Sequence, residues 1–279
     1  MSDAAAMTAR PRRRFTTSGA IGMAIVGFWL LIALFGPMLA PHDVGQVIDL
    51  DVFSPASMRF PLGSDYLGRD MLSRILTAGR YTVAISFIAT LAAAGVGVAA
   101  GLAAASGGWL DTLLSRVFDT VIAIPSMMFG LVVITSLGPS VPVLIGTLSV
   151  IYMPGAFRTA RALALNVAML DFVTVARARG ERLPHIVFRE ILPNVTGPLA
   201  ADFGVRFVYV VLLLSGLSFL GVGLQPPYAD LGALVRENIA GLGFGAPAVL
   251  FPAVAIASLT IGVNMLIDAL PDRRKRGKR

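Results

Sequence analysis

Cysteine is absent from the 279 residues, histidine occurs twice, and lysine stands only at Lys275 and Lys278. The first absence excludes disulfides, thiolate metal sites and thiol nucleophiles. His42 and His185 lie far apart and outside the apolar runs, which argues against a histidine-rich metal site. Both lysines fall in the last few residues, so the chain cannot carry a phosphate loop of the GxxxxGKS/T type, whose lysine must reach the phosphates. The serines have no nearby histidine to activate them. Charge is scarce as well: 14% of residues, where soluble domains carry roughly a quarter. These absences predict a chain with no catalytic residues, no metal, no cofactor and no enzymatic activity of its own.

What is abundant is hydrocarbon. Hydrophobic residues make up 56% of the chain and the mean hydropathy is +0.79. That exceeds what one soluble core explains, and an integral membrane protein is the class it implies. A membrane-crossing helix needs about 20 mostly apolar residues. Six runs qualify: 19–39, 82–105, 117–137, 141–157 (slightly short), 199–224 and 246–270. The expected fold is all-α and polytopic. The first run is longer than a secretory signal core and no small-x-small cleavage site follows it, which disfavours a signal peptide.

Arginine placement predicts the orientation. Arg10, Arg12, Arg13 and Arg14 precede the first run, in a basic tail over 1–18. The other end, 271–279, carries DRRKRGKR. Arg158, Arg161, Arg177, Arg179, Arg182 and Arg189 lie between the fourth and fifth runs. All three regions are expected to be cytoplasmic, with both termini inside. Anchoring of topology accounts for the basic tails better than nucleic-acid binding does. One stretch runs against this pattern. Arg59, Arg69, Arg74 and Arg80 fall in the first outer loop, 40–81, offset in part by Asp65 and Asp70. In the segment 225–245, Arg236 is balanced by Asp230 and Glu237.

Inside the runs ionisable groups are few and sit near the ends: Arg116 and Asp119, Asp202 and Arg206, and Asp268. Proton-driven transport needs such groups deep in the membrane, so their position argues against a secondary transporter working alone. Asp202 and Arg206 are four apart, share a helical face and are expected to pair. Pro125, Pro154 and Pro252 interrupt helices, either as packing kinks or as hinges around a path. GVGVAAG in the second run supplies small residues for close helix packing.

One polar stretch stands out, VARARGERLPHIVFREILPNVTGP, from Val175 to Pro198. Asp171 is a candidate N-cap and Gly180 a candidate left-handed terminator. Between them Phe172, Val175, Ala176 and Arg179 recur at helical spacing. Pro184 is placed to open a second short helix, and the sequence ILP to close it. Two short helices of this kind fit either a plug that enters a partner or a helix resting on lipid headgroups.

The same residues carry a family resemblance. ARARG, ERLPHIVFRE and ILPN, in that order, resemble the Glu-Ala-Ala loop of binding-protein-dependent ABC importer permeases. PLGSDYLGRDMLSRILTAGR, SGGWLDTLLSRVFDTVIAIPSMMFGL, LSFLGVGLQPP and NMLIDALPD resemble, in unbroken order over residues 60–272, the C-type subunit of the dipeptide, oligopeptide and nickel group. The resemblance implies a type I importer permease with a core over 82–270 and a cytoplasmic coupling loop over 171–198. It implies a second homologous permease, two cytoplasmic ATPase subunits and an extracytoplasmic binding protein as partners, in a bacterial inner membrane. It assigns ATPase coupling to Asp171, Phe172, Thr174, Val175, Ala176, Arg177, Gly180 and Pro193. It assigns the translocation pathway to Pro125, Ser126, Met153, Leu214 and Ser218. Two positions depart from the family pattern. Thr174 replaces the glutamate that names the loop and Val175 its first alanine, while Leu214 stands where relatives often carry an acid. The competing reading is a stand-alone channel or secondary transporter.

Overall fold

The computed structural model describes residues 17–58, 60–105 and 107–269. The arginines and lysines of both basic tails, and Arg59, lie outside the described residues. The described elements are helical, apart from an isolated bridge between Ser64 and Asp70. Among the described residues, five helices are long and apolar enough to cross a membrane, or six if one sharply bent pair counts as a single span.

Helix α1 (Thr17–Leu39) lies between α2 (Met71–Ala104) and the last helix, α10 (Leu250–Asp268). Glycines set these crossings. A Cβ on Gly22 would meet the backbone at Leu266 and Gly262, and one on Gly79 would meet the rings of Trp29 and the side chain of Ile32. Trp29 Nε1 then donates to Ser258 Oγ at 3.1 Å, so the buried indole keeps a partner. Pro252, expected within the sixth span, lies near the start of α10 and is buried.

Helix α2 starts eleven residues before the expected second span, because Asp70 caps it and accepts from Ser73 N at 3.0 Å. At 34 residues it is about 50 Å long. That exceeds a hydrocarbon core of about 30 Å, so residues assigned above to the outer loop extend the helix beyond it. Along GVGVAAG, Gly97 and Gly101 let α2 lie directly on the backbone of α5 (Val141–Ala168): a Cβ on either would come within 2.7 Å of a carbonyl oxygen, Met153 O or Phe157 O.

The expected third span, 117–137, is two helices, α3 (Trp109–Ile122) and α4 (Ser126–Leu137), bent by 83° at a break that contains Pro125. Pro154, by contrast, sits inside a continuous α5 that runs eleven residues past the expected fourth span. After α6 (Asp171–Ala178), the short α7 (Leu183–His185) and a wide π turn over Ile186–Ile191 lead without interruption into α8 (Leu192–Phe219). The sequence ILP therefore does not close a second short helix. The π turn absorbs Pro193: Leu192 N bonds Val187 O, five residues back, so the register shifts just where the proline has no N–H to give.

At the end of the molecule opposite α6, the segments 40–70 and 220–249 form a cap that includes α9 (Leu231–Glu237). Asp230 caps α9 through Gly232 N and Ala233 N, and also accepts from Ser218 Oγ at 2.6 Å. Asp65 and Glu237 enclose two arginines. Arg74 Nη1 lies 2.6 Å from both Asp65 Oδ2 and Glu237 Oε2, and Arg69 reaches the same two carboxylates at 2.7 and 3.3 Å. Arg69 and Arg74 are thus neutralised within the fold, and the carboxylates of Asp230 and Glu237 are committed to these contacts rather than to Arg236.

Candidate functional site: the α6 platform

The stretch from Leu170 to Leu192 builds a short helix on a fixed base. Leu170 is extended and takes the N-cap position without a side-chain bond, so Asp171 is the first helical residue and not the cap expected above. Its carboxylate in the first turn still favours the positive end of the helix dipole. The C-terminus closes as the sequence demands. Gly180 is left-handed at φ 80°, its N–H bonds Arg177 O at 2.9 Å, and Glu181 N bonds Ala176 O at 3.2 Å. This paired closure satisfies carbonyls that the helix end would otherwise leave open.

The two faces of α6 divide cleanly. Val173 and Ala176 are fully buried with Leu102, Ala105, Ala164, Ile186, Ile191 and Val195, so α2, α5 and the start of α8 hold the helix from beneath. Ala176, assigned above to a partner contact, faces this base because residues three apart share a helical face and Val173 is drawn into the same cluster. Phe172, Thr174, Val175 and Arg177 point outward, and Pro193 is exposed on α8. Val175 is 54% exposed and Met169, just before the helix, 74%. Apolar side chains stand here beside Arg177, Arg179 and Arg182, all exposed. The Glu181 carboxylate lies 2.7 Å from Arg179 and 3.3 Å from His185 at the turn after Gly180.

The five pathway candidates do not share one surface. Pro125 and Ser126 lie exposed at the α3–α4 bend. Met153 packs beside Phe118 and Phe157. Leu214 is fully buried among Ile134, Leu144, Leu148 and Val210. Ser218 is 1% exposed and spent on Asp230. The last two are buried within the chain, where α8 packs that face against α4, α5 and the cap. An apolar groove of about 740 Å³ runs between α2 and α8, lined in part by Gly95, Val98, Leu102, Phe188 and Phe203. Its lining has no hydrogen-bonding side chain for a polar solute.

Asp202 and Arg206 pair as their spacing predicts, with Arg206 Nε and Nη2 donating to the two carboxylate oxygens at 2.6 and 3.0 Å. Arg206 also reaches across to α5, to Thr159 Oγ1 at 3.1 Å and Tyr152 O at 3.3 Å. Gly155 leaves the room this guanidinium occupies. Sequence reasoning missed two further pairs, Asp111–Arg161 and Asp119–Arg158, which join α3 to α5. No local spacing signals a bond between positions about 40 to 50 apart.

Residues 93–276, about two thirds of the chain, match the family described as the binding-protein-dependent transport system inner membrane component. The chain belongs to that family. This permease is 29% identical over 253 residues to the dipeptide transport system permease protein DppC of Alkalihalophilus pseudofirmus, covering 90% of this chain and 83% of the relative. It is 31% identical to DppC of Haemophilus influenzae, with 90% and 88% covered. It is 30% identical to the glutathione transport system permease protein GsiD of Pectobacterium atrosepticum, with 87% and 81% covered. It is thus an all-α, multi-pass ABC transporter permease of the peptide group, and its family is one of transport proteins rather than enzymes.

Proposed function

We propose that this permease forms half of the translocation pathway of an ATP-driven importer and receives the energy of ATP through α6. In this reading the α6 end faces the cytoplasm, together with both termini, and the cap around α9 faces outward in a bacterial inner membrane. A second homologous permease completes the pathway, two ATPase subunits bind at the α6 end, and an extracytoplasmic binding protein delivers the solute at the cap. Peptides or related small solutes are the proposed cargo, since the relatives are named for dipeptides and glutathione.

One observation carries the coupling role. The outward face of α6 presents Phe172 and Val175 beside exposed arginines, while its inward face is locked to three other helices. An exposed apolar patch with a polar rim marks an interaction site, and a rigid base lets force applied there reach the helices. Thr174, in place of the family glutamate, makes the contact depend on shape more than on charge. Pro193 lies at the junction where that force would enter α8.

The test is co-purification of the ATPase subunits with the Phe172→Asp variant. An unpaired carboxylate buried in a partner's groove is costly. Because Phe172 is on the outward face, the permease itself should insert at normal abundance while ATPase binding and transport are lost. Normal binding together with wild-type transport would remove α6 as the coupling element.

A further inference from the structure

Two arginines lie deeper in the helices than the apolar runs placed them. Because α8 begins at Leu192, ahead of the expected fifth span, Arg206 stands midway between Leu192 and Phe219, about 20 Å from either end. A hydrocarbon core of about 30 Å encloses that point however the helix is set. Arg158 falls beyond the expected fourth span but inside the longer α5, about 25 Å from Val141 and about 15 Å from Ala168. Charged side chains at such depth face the protein interior or a water-filled cavity, and they mark the paths of polar solutes.

The two arginines differ in what is left to them. Arg206 is largely committed: Nε and Nη2 go to Asp202, Nη2 also meets Thr159 Oγ1, and Nη1 meets Tyr152 O. The Tyr152 hydroxyl in turn donates to Tyr209 O at 2.9 Å. This network closes the seam between α5 and α8. Arg158 gives only Nη2, to Asp119 Oδ1 of α3 at 2.6 Å, and both side chains are more than half exposed. Tyr152, Gly155, Arg158 and Thr159 recur at steps of three and four and share one face of α5, as Asp202, Arg206 and Tyr209 share one face of α8. Arg206 joins the two faces by lying across Gly155, where a Cβ would collide with its Nη1. The Tyr209 ring is more than half exposed on the joined strip. Asp119, Arg158 and Tyr209 are thus presented outward at membrane depth, whereas the groove between α2 and α8 offers no such group.

We propose that this strip is the polar wall of the translocation pathway and that it takes zwitterionic solutes such as short peptides. This rests on the reading that the chain forms half of that pathway. Asp119, Arg158 and Tyr209 touch the solute, while Asp202, Arg206, Thr159 and Tyr152 position them by fixing α5 on α8. Two aspartates balance two arginines, so the strip favours neither sign of ion along its length. A zwitterion still finds a partner for each end, Arg158 for a carboxylate and Asp119 for an ammonium. An exposed pair of this kind is weakly held, so solute can part it and it recloses behind.

The absence of cysteine makes the test clean. Val205→Cys and Tyr209→Cys each place a single thiol on the exposed face of α8. The permease is assembled with cysteine-free partners in nanodiscs, which leave both membrane sides open. It is then reacted with an anionic and a cationic methanethiosulfonate, with and without trapped nucleotide. In at least one state both thiols should react, at about equal rates with the two reagents once each is scaled to its rate with a small free thiol. In the Tyr209→Cys permease, adding Arg158→Gln leaves Asp119 uncompensated and should favour the cationic reagent about tenfold. Adding Asp119→Asn as well should return the rates to parity. In proteoliposomes, modification of either thiol should stop transport with the ATPases still bound. Thiols that neither reagent reaches while transport proceeds, or a rate ratio that Arg158→Gln leaves unchanged, overturn the wall. Failure of the pathway reading shows separately, as solute flux through the purified chain without a second permease or ATPase subunits.

Discussion

Arg74 and Glu237, 163 positions apart, meet at 2.6 Å in the cap, with Asp65 at the same distance from the same guanidinium nitrogen. Arg74 is 1% exposed. Two carboxylates and two arginines cancel there, so the cluster closes without net charge. Removing one member of such a buried group leaves a charge uncompensated and costs about 3–5 kcal/mol. Glu237→Ala should therefore lower the unfolding temperature of the detergent-purified permease sharply. A melting curve that overlays the unsubstituted one would show that Asp65 alone suffices for both arginines.

Asp202 and Arg206 make a second, smaller test of the same rule. Asp202→Ala leaves Arg206 facing Thr159 and Tyr152 without its counter-charge, at a cost of about 3 kcal/mol. The double change Asp202→Ala with Arg206→Ala removes both charges and should restore part of the lost abundance in membranes. Quantitative immunoblotting decides: equal loss in the single and double variants would mean that the pair does not act as a unit.

The α2–α5 contact can be tested one glycine at a time. A Cβ on Gly101 would lie 2.7 Å from Phe157 O, backbone that cannot yield without moving the helix. Gly101→Val should destabilise the permease by about 1–3 kcal/mol, the usual cost of overpacking. Gly95, six residues earlier, meets nothing within 4 Å. Gly95→Ala should be neutral or stabilising by up to about 1 kcal/mol, since alanine is the better helix former. Thermal unfolding of both variants side by side separates packing from propensity.

Gly180 separates backbone strain from contact, because a side chain there meets open space. Its φ of 80° would cost valine about 1–2 kcal/mol. Gly180→Val should leave insertion near normal while misdirecting α6, so co-purified ATPase and transport both fall. Gly180→Asn, which tolerates the left-handed conformation better, should keep most of both. Equal loss in the two variants would point to side-chain bulk at the docking surface instead of the turn.

Topology is open to a direct test by reporter fusion. Fusions after Arg182 should report the cytoplasm and fusions at Asp230 the outside. An Arg182 reporter outside the cell would remove any possibility that α6 meets an ATPase.

Much of this permease was legible locally. Apolar runs of membrane length announce spans because an unsatisfied backbone in hydrocarbon must fold into helix. Gly180 and Pro184 announce their turns because glycine enters the left-handed region without a steric cost and proline fixes its own φ. Asp202 and Arg206 announce a pair because a helix places residues four apart together. These are properties of a few consecutive residues, and no partner element is needed to read them. Tertiary structure decided the rest. Asp171 lost the cap to Leu170, and ILP did not end a helix because a π turn could absorb Pro193. Ala176 turned inward because Val173 beside it found a buried cluster. Leu214 and Ser218 are buried because α8 packs that face against its neighbours. The Arg74–Glu237, Asp111–Arg161 and Asp119–Arg158 bonds join residues about 40 to 160 positions apart. Periodicity within one helix states which face is apolar. It does not state which other helix will cover that face, and charges meet across a fold only where the crossing of two helices brings them within reach.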